Sequence, residues 1–205
     1  MAAQLVDGPK AAAKTFLFAH GAGAPMDSRF MQLVADGVAA SGVRVVRFEF
    51  PYMQRRRETG KRGAPDQPRV LMQSFRDAIE EAGGSGKLVI GGKSMGGRIA
   101  SMVADDAGVL GLVCLGYPFH PPGRLEKTRT SHLESLRTPA LILQGTRDSF
   151  GSGEDVRGYK LSKAIRIEWI EDGDHSFKPR ARSGRTEADN VRAAIALVAE
   201  FIARA

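Results

Sequence analysis

The chain has 205 residues, 42% of them apolar and 26% charged, ordinary globular usage in a length that can bury a substantial core. Lys and Arg outnumber Asp and Glu by 30 to 23, a net charge of +7, and the single cysteine, Cys114, excludes an internal disulfide framework and fits a reducing, cytoplasmic setting. No apolar run approaches the roughly 18 residues of a membrane span, and the first residues lack the basic start and long apolar core of a secretory leader.

Residues 1–13 read as a polar N-terminal arm leading into a short apolar strand over 15–19. That strand runs into His20-Gly21-Ala22-Gly23-Ala24-Pro25, a loop whose glycines leave backbone N–H groups free to converge on a negative oxygen. A dinucleotide fingerprint would need a further glycine at position 26, which is Met26. His20 is read as a brace for this loop. Asp27-Ser28 can cap a helix whose Phe30, Met31, Leu33, Val34 and Val38 share one face, ending near Ser41-Gly42. A strand over 43–50 stops at Pro51. The basic, proline- and glycine-bearing segment 52–68 reads as a mobile surface loop, and a helix is predicted over 70–82.

The apolar run Leu88-Val89-Ile90 then enters Gly91-Gly92-Lys93-Ser94-Met95-Gly96-Gly97, with helix-forming residues beyond. Gly-x-Ser-x-Gly between a strand and a helix describes a nucleophile elbow, a tight turn that holds one serine hydroxyl clear of the backbone. The same letters contain Gly92-Lys93-Ser94, the ending of a phosphate-binding loop. That motif needs a glycine at position 87, where Lys87 stands, and a loop where Leu88-Val89-Ile90 forms a strand. Three more apolar runs follow, over 110–116, 140–144 and 165–170. Runs without alternation suit parallel strands covered on both faces, and Cys114 in the first of them reads as a small core residue. Thr186-x-x-Asp189 starts a closing helix with Val191, Ile195, Val198 and Ile202 on one face. Six strands alternating with helices imply one α/β domain, a mostly parallel sheet with helices on both faces.

Ser94, Asp148 and His175 fall in loops after three different predicted strands, all leaving the same edge of such a sheet. A serine hydroxyl needs a base to take its proton, histidine has the pKa to do so, and a carboxylate fixes the tautomer of the ring. Asp172 and Asp174 crowd His175, but sequence neighbours rarely aim at each other's side-chain nitrogen, so Asp148 is the preferred acid. The oxyanion donors would be the N–H of Met95 with that of Ala22 or Gly23. Tyr117, Phe119 and His120, in the loop after the predicted strand 110–116, are candidate substrate contacts.

The stretches Phe16-Leu17-Phe18-Ala19-His20-Gly21-Ala22-Gly23, Gly92-Lys93-Ser94-Met95-Gly96-Gly97, Gly145-Thr146-Arg147-Asp148 and Gly173-Asp174-His175-Ser176-Phe177 resemble a small α/β-hydrolase of the dienelactone-hydrolase-like group. Within it, Phe48-Glu49-Phe50-Pro51-Tyr52-Met53, 116–123 and 172–179 are similar to a branch holding bacterial hydrolases and the testis-expressed and NSL-complex hydrolase-like proteins of animals. The resemblance implies the α/β-hydrolase fold without a cap domain, with Ser94 as nucleophile, Asp148 as acid and His175 as base. It also implies a sheet trimmed of its usual first antiparallel strands. The expected activity is hydrolysis of an ester, thioester or lactone of a small molecule, with no metal and no cofactor.

Two basic clusters follow strands at this edge, Arg55-Arg56-Arg57 with Lys61-Arg62, and Lys178 with Arg180, Arg182 and Arg185. They could steer an anionic substrate toward the site. A catalytically silent interaction module is the alternative function. Nucleic-acid binding is disfavoured because no recognised motif and no interleaved aromatics accompany the arginines. Lys93 receives no role, and oligomeric state is unreadable.

Overall fold

The computed structural model describes residues 4–205. Seven strands, β1 (Gln4–Asp7), β2 (Thr15–Ala19), β3 (Arg44–Phe48), β4 (Leu88–Lys93), β5 (Gly111–Leu115), β6 (Ala140–Gly145) and β7 (Ile165–Ile170), form one sheet in the order β1-β3-β2-β4-β5-β6-β7. Among the described residues only the β1–β3 pair is antiparallel. The helices are α1 (Arg29–Ala39), α2 (Pro51–Thr59), α3 (Pro68–Glu81), α4 (Met95–Ala107), α5 (Gly153–Arg157) and α6 (Glu187–Arg204). Among the described residues no helix is long and apolar enough to cross a membrane.

The unbroken apolar strands follow from a sheet buried on both faces. In β2, Phe16 and Phe18 point into one layer with Met31, Val34 and Val38 of α1 and Ala194, Val198 and Ile202 of α6. Leu17 and Ala19 point into the other, with Leu71, Phe75 and Ile79 of α3 and Ile99 and Val103 of α4. Each fully buried side chain of this size contributes about 1.5–3 kcal/mol, so the two layers supply most of the driving force. No connection between strands carries an inserted cap among the described residues.

Two expectations need correction. The N-terminal arm is more than a polar lead-in: Gln4–Asp7 pairs antiparallel along β3, giving seven strands instead of six and leaving one of the antiparallel strands thought trimmed. Residues 1–3 lie outside the described residues. Arg47 of β3, 1% exposed, is the reason a polar strand belongs there. Its guanidinium donates to Asp7 Oδ2 at 2.8 Å, Gln32 Oε1 at 2.9 Å and the Met26 carbonyl at 2.9 Å, and a buried cation is tolerable only with such partners.

The second correction concerns 52–68, where the first part is helix, not loop. Pro51 occupies the first helical turn, where a missing N–H costs nothing, Tyr52 and Met53 are buried, and Gly60 ends the helix at φ 70°. The proline read as a stop is a start. Residues 60–67 carry no regular element.

Candidate active site

The site lies beyond the carboxyl ends of β4, β6 and β7. Ser94 sits between β4 and α4 at φ 51°, ψ −115°, a conformation that costs a side-chain-bearing residue about 1–3 kcal/mol and lifts its hydroxyl off the backbone. Ser94 N–H donates to the Leu115 carbonyl at 3.0 Å, tying the turn to β5. The flanking glycines are demanded by space: a Cβ on Gly96 would lie 2.5 Å from the Ala19 carbonyl oxygen and 2.6 Å from that of His20.

His175 stands in the loop after β7 with Nε2 2.8 Å from Ser94 Oγ and Nδ1 2.8 Å from Asp148 Oδ2. The neutral ring then donates from Nδ1 to the carboxylate and accepts the serine hydroxyl at Nε2. Asp148 is fully buried, and its other bonds come from Gln144 Nε2 at 2.8 Å and Phe150 N–H at 2.8 Å. Gln144 is itself held by the Tyr117 N–H, donated to its Oε1 at 2.8 Å. The Phe150 ring lies against the imidazole, centroids 4.3 Å apart. Such an arrangement can take a proton from the serine, hold it on an imidazolium beside a buried carboxylate, and return it to a leaving group.

The rival acids are engaged elsewhere. Asp174 Oδ1 accepts the N–H groups of Ser176 and Lys178 at 2.8 and 3.0 Å, closing the turn that carries His175. Asp172 is gripped by the guanidinium of Arg180, the backbone N–H of Arg180 and, at 3.0 Å, Arg147 Nε. The Arg180 hydrogen bond comes first among the causes that hold the Asp172 carboxyl down to about 2, below its ordinary 3.8. A lowered carboxylate pKa stabilises the fold above the unfolded value, and that stabilisation disappears as pH falls from about 4 through 2. Asp172→Asn should therefore flatten the stability profile over that window in denaturant titrations. An unchanged acid limb would contradict the linkage.

His20 braces the loop after β2. Phe50 N–H donates to its Nε2 at 3.1 Å, so the ring proton is on Nδ1 and goes to the Gly21 carbonyl at 2.7 Å. Burial lowers the His20 pKa, favouring this neutral form. The Tyr52 hydroxyl, whose pKa burial raises, donates toward the carbonyls of Gly21 and Ala22 at 3.2 and 3.0 Å. With these carbonyls turned toward His20 and Tyr52, the loop lines a pocket of about 330 Å³ together with Ser28, Phe30, Met31, Phe150, Ser94 and His175. Met95, first residue of α4, leaves its N–H without an intrahelical partner at the same end of the sheet. A larger depression of about 710 Å³ between α2 and α3 is remote from these groups.

Tyr117, Phe119 and His120 require correction as substrate contacts. Tyr117 and Phe119 are fully buried in the core layer beneath the sheet's edge, with the Tyr117 hydroxyl donating to the Arg129 carbonyl at 2.9 Å. His120 is also buried, donates from Nδ1 to the Pro121 carbonyl at 2.9 Å, and faces Asp155 of α5. None of the three lines the pocket. Its apolar walls come instead from Phe30 and Met31, expected on the apolar face of a helix, and from Phe150. Proximity of Phe150 to Asp148 was the available signal.

Three arginines of the basic clusters are paired with carboxylates. Arg57 Nη2 lies 2.6 Å from Glu49 and 3.0 Å from Asp27, Arg55 pairs with Asp66, and Arg180 with Asp172. Arg185 Nε donates to Asn190 Oδ1 at 2.7 Å. Lys93, by contrast, reaches the site: its Nζ donates to the His175 carbonyl at 2.5 Å, and burial first of all lowers its pKa to about 8.

Residues 12–203 match the profile of a family described as an alpha/beta hydrolase domain. Among solved structures, the chain is similar to a dienelactone hydrolase from Anabaena variabilis at 18% identity, covering 98% of this chain and 90% of that one, TM-score 0.72. An alpha-beta serine hydrolase homologue from Coxiella burnetii is likewise 18% identical, with 97% and 90% covered and a TM-score of 0.71. A lidless a/b serine hydrolase from Xanthomonas campestris is 18% identical, with 94% and 85% covered and a TM-score of 0.66.

Proposed function

The chain belongs to the alpha/beta hydrolase domain family, and from that premise we propose that it is a serine hydrolase cleaving an ester, thioester or lactone of a small molecule through an acyl-enzyme. Ser94 is the nucleophile, His175 the general base and then general acid, and Asp148 the residue that orients the ring. The observation that carries this reading is the unbroken Ser94–His175–Asp148 relay, both links 2.8 Å. His175 takes the hydroxyl proton as Ser94 Oγ attacks the acyl carbon. The oxyanion so formed meets the N–H of Met95 and that of Ala22 or Gly23, each donor worth about 3 kcal/mol in the transition state. Collapse expels the alcohol or thiol with the proton from His175, and water repeats the sequence to release the acid.

The motifs at 48–53, 116–123 and 172–179 support the narrower kinship with the branch that includes the testis-expressed and NSL-complex hydrolase-like proteins. The lone, buried Cys114, its thiol pKa raised by burial, fits a cytoplasmic location. With Arg55, Arg57 and Arg180 paired to carboxylates, those three side chains are not available to steer an anionic substrate. A fluorophosphonate probe tests the enzyme reading directly. The folded protein should be labelled at Ser94, located by peptide mass, within minutes. A Ser94 that stays unmodified while a known serine hydrolase reacts would overturn it and favour a silent interaction module.

A further inference from the structure

Among the residues lining the pocket, Lys93 is the one charged side chain that the relay leaves without a task. It ends β4 beside the nucleophile, its stem lies against Gly21, and its ammonium sits 5.7 Å from the centroid of the Phe30 ring. Gly21, Phe30 and His175 all line the pocket, as Lys93 does itself. The residue is only 9% exposed, yet of its three N–H donors one has a protein acceptor, the His175 carbonyl. No carboxylate lies within ion-pair distance among the described residues. The charges of Asp148 and Asp174 favour the ammonium, but Asp148 is committed to His175, Gln144 and Phe150, and Asp174 to the turn at Ser176 and Lys178.

Tying down the His175 loop does not require a charge. A neutral amide at position 93 could donate to the same carbonyl without the cost of burying an ammonium. Under-satisfied buried donors at a pocket wall are explained most simply by a ligand that completes them. We propose that Lys93 is a specificity-determining residue whose ammonium receives a second carboxylate on the substrate, so that half-esters of short diacids are preferred over uncharged esters of equal length. The proposal rests on the hydrolase reading, whose pocket it furnishes. Recognition is confined to the pocket, since charge-assisted hydrogen bonds are strong where water is scarce.

Rates for monoethyl glutarate and monoethyl adipate, set against ethyl valerate and ethyl hexanoate, test it. The wild type should prefer the half-esters by roughly ten- to hundredfold in kcat/KM, the range expected of a hydrogen bond to a charged group. K93R should retain a preference, and K93M should abolish it; K93Q serves if K93M fails to fold. The ammonium titrates at about 8, so the wild-type preference should also fall as pH rises through that value while the carboxylate stays ionised. Calorimetry with S94A gives a reading independent of turnover: monoethyl glutarate should bind more tightly to S94A than to S94A/K93M. Equal binding by the two, or a preference undiminished in K93M and at pH 10, overturns the proposal. If the wild type hydrolyses none of the four esters while the calorimetric difference is present, it is the hydrolase reading that fails.

Discussion

Ser94→Ala lowers kcat toward an activated ester by on the order of 10⁴-fold or more, while thermal stability stays close to that of the wild type. In the proposed mechanism the removed atom is the attacking oxygen, for which no other group of the relay can substitute. Alanine keeps a Cβ at φ 51°, so the strain of the elbow is unchanged and the fold has no reason to respond. His175→Ala should cost about as much, because in the proposed mechanism the imidazole, 2.8 Å away, takes the hydroxyl proton. The double variant should be no slower than the worse single one, since residues acting as a unit lose their effect together. Initial rates with 4-nitrophenyl acetate for the three variants decide the matter. Losses that multiply, or a Ser94→Ala enzyme keeping several per cent of the wild-type rate, would remove Ser94 from the role assigned to it.

Gly92→Ala should destabilise the protein by about 3–5 kcal/mol, the upper end of single-substitution effects. A Cβ at this position would lie 2.4 Å from the Gly96 carbonyl carbon, 2.6 Å from the Gly97 nitrogen and 2.7 Å from the Ala19 carbonyl oxygen. All three are backbone atoms of the elbow and its neighbouring strand, so no side chain can swing aside to make room. The clash can be relieved only by moving α4 off the sheet, which also moves Ser94 away from His175. Against a total stability of roughly 5–15 kcal/mol for a domain, such a loss leaves little margin. Gly63→Ala is the control, since a Cβ there meets nothing within 4 Å and should leave the midpoint nearly unchanged. Denaturant midpoints for both variants read the difference directly, and matching midpoints would mean the elbow is looser than its packing implies.

The hydrolase fold and its relay were legible in the chain because each rests on local patterns. A strand covered on both faces is apolar along most of its length, so β2, β4, β5 and β6 announce themselves through the runs 16–19, 88–90, 111–115 and 140–143. A serine forced into a strained turn needs glycine where backbones nearly touch, and that need is written at Gly92 and Gly96. Strand ends at one edge of a parallel sheet converge, so Ser94, Asp148 and His175 could be placed together from their order alone.

What remained hidden depends on partners far apart in sequence. Asp7 belongs to a strand only because Arg47, 40 positions away, is buried and needs its carboxylate. Pro51 starts a helix because Tyr52 and Met53 find a core to enter. Tyr117, Phe119 and His120 turn inward while Phe30, Met31 and Phe150 line the pocket, a choice made by helix rotation and loop packing. Arg55, Arg57 and Arg180 are paired with carboxylates, and Lys93 is set against the pocket by the fold around it. By itself, then, the sequence determined the six parallel strands, the elbow and the order of the relay, because periodicity and turn chemistry act over a few residues. Only the tertiary structure decided which charges are neutralised and which side chains face the substrate, because burial and electrostatic pairing are properties of distance in space.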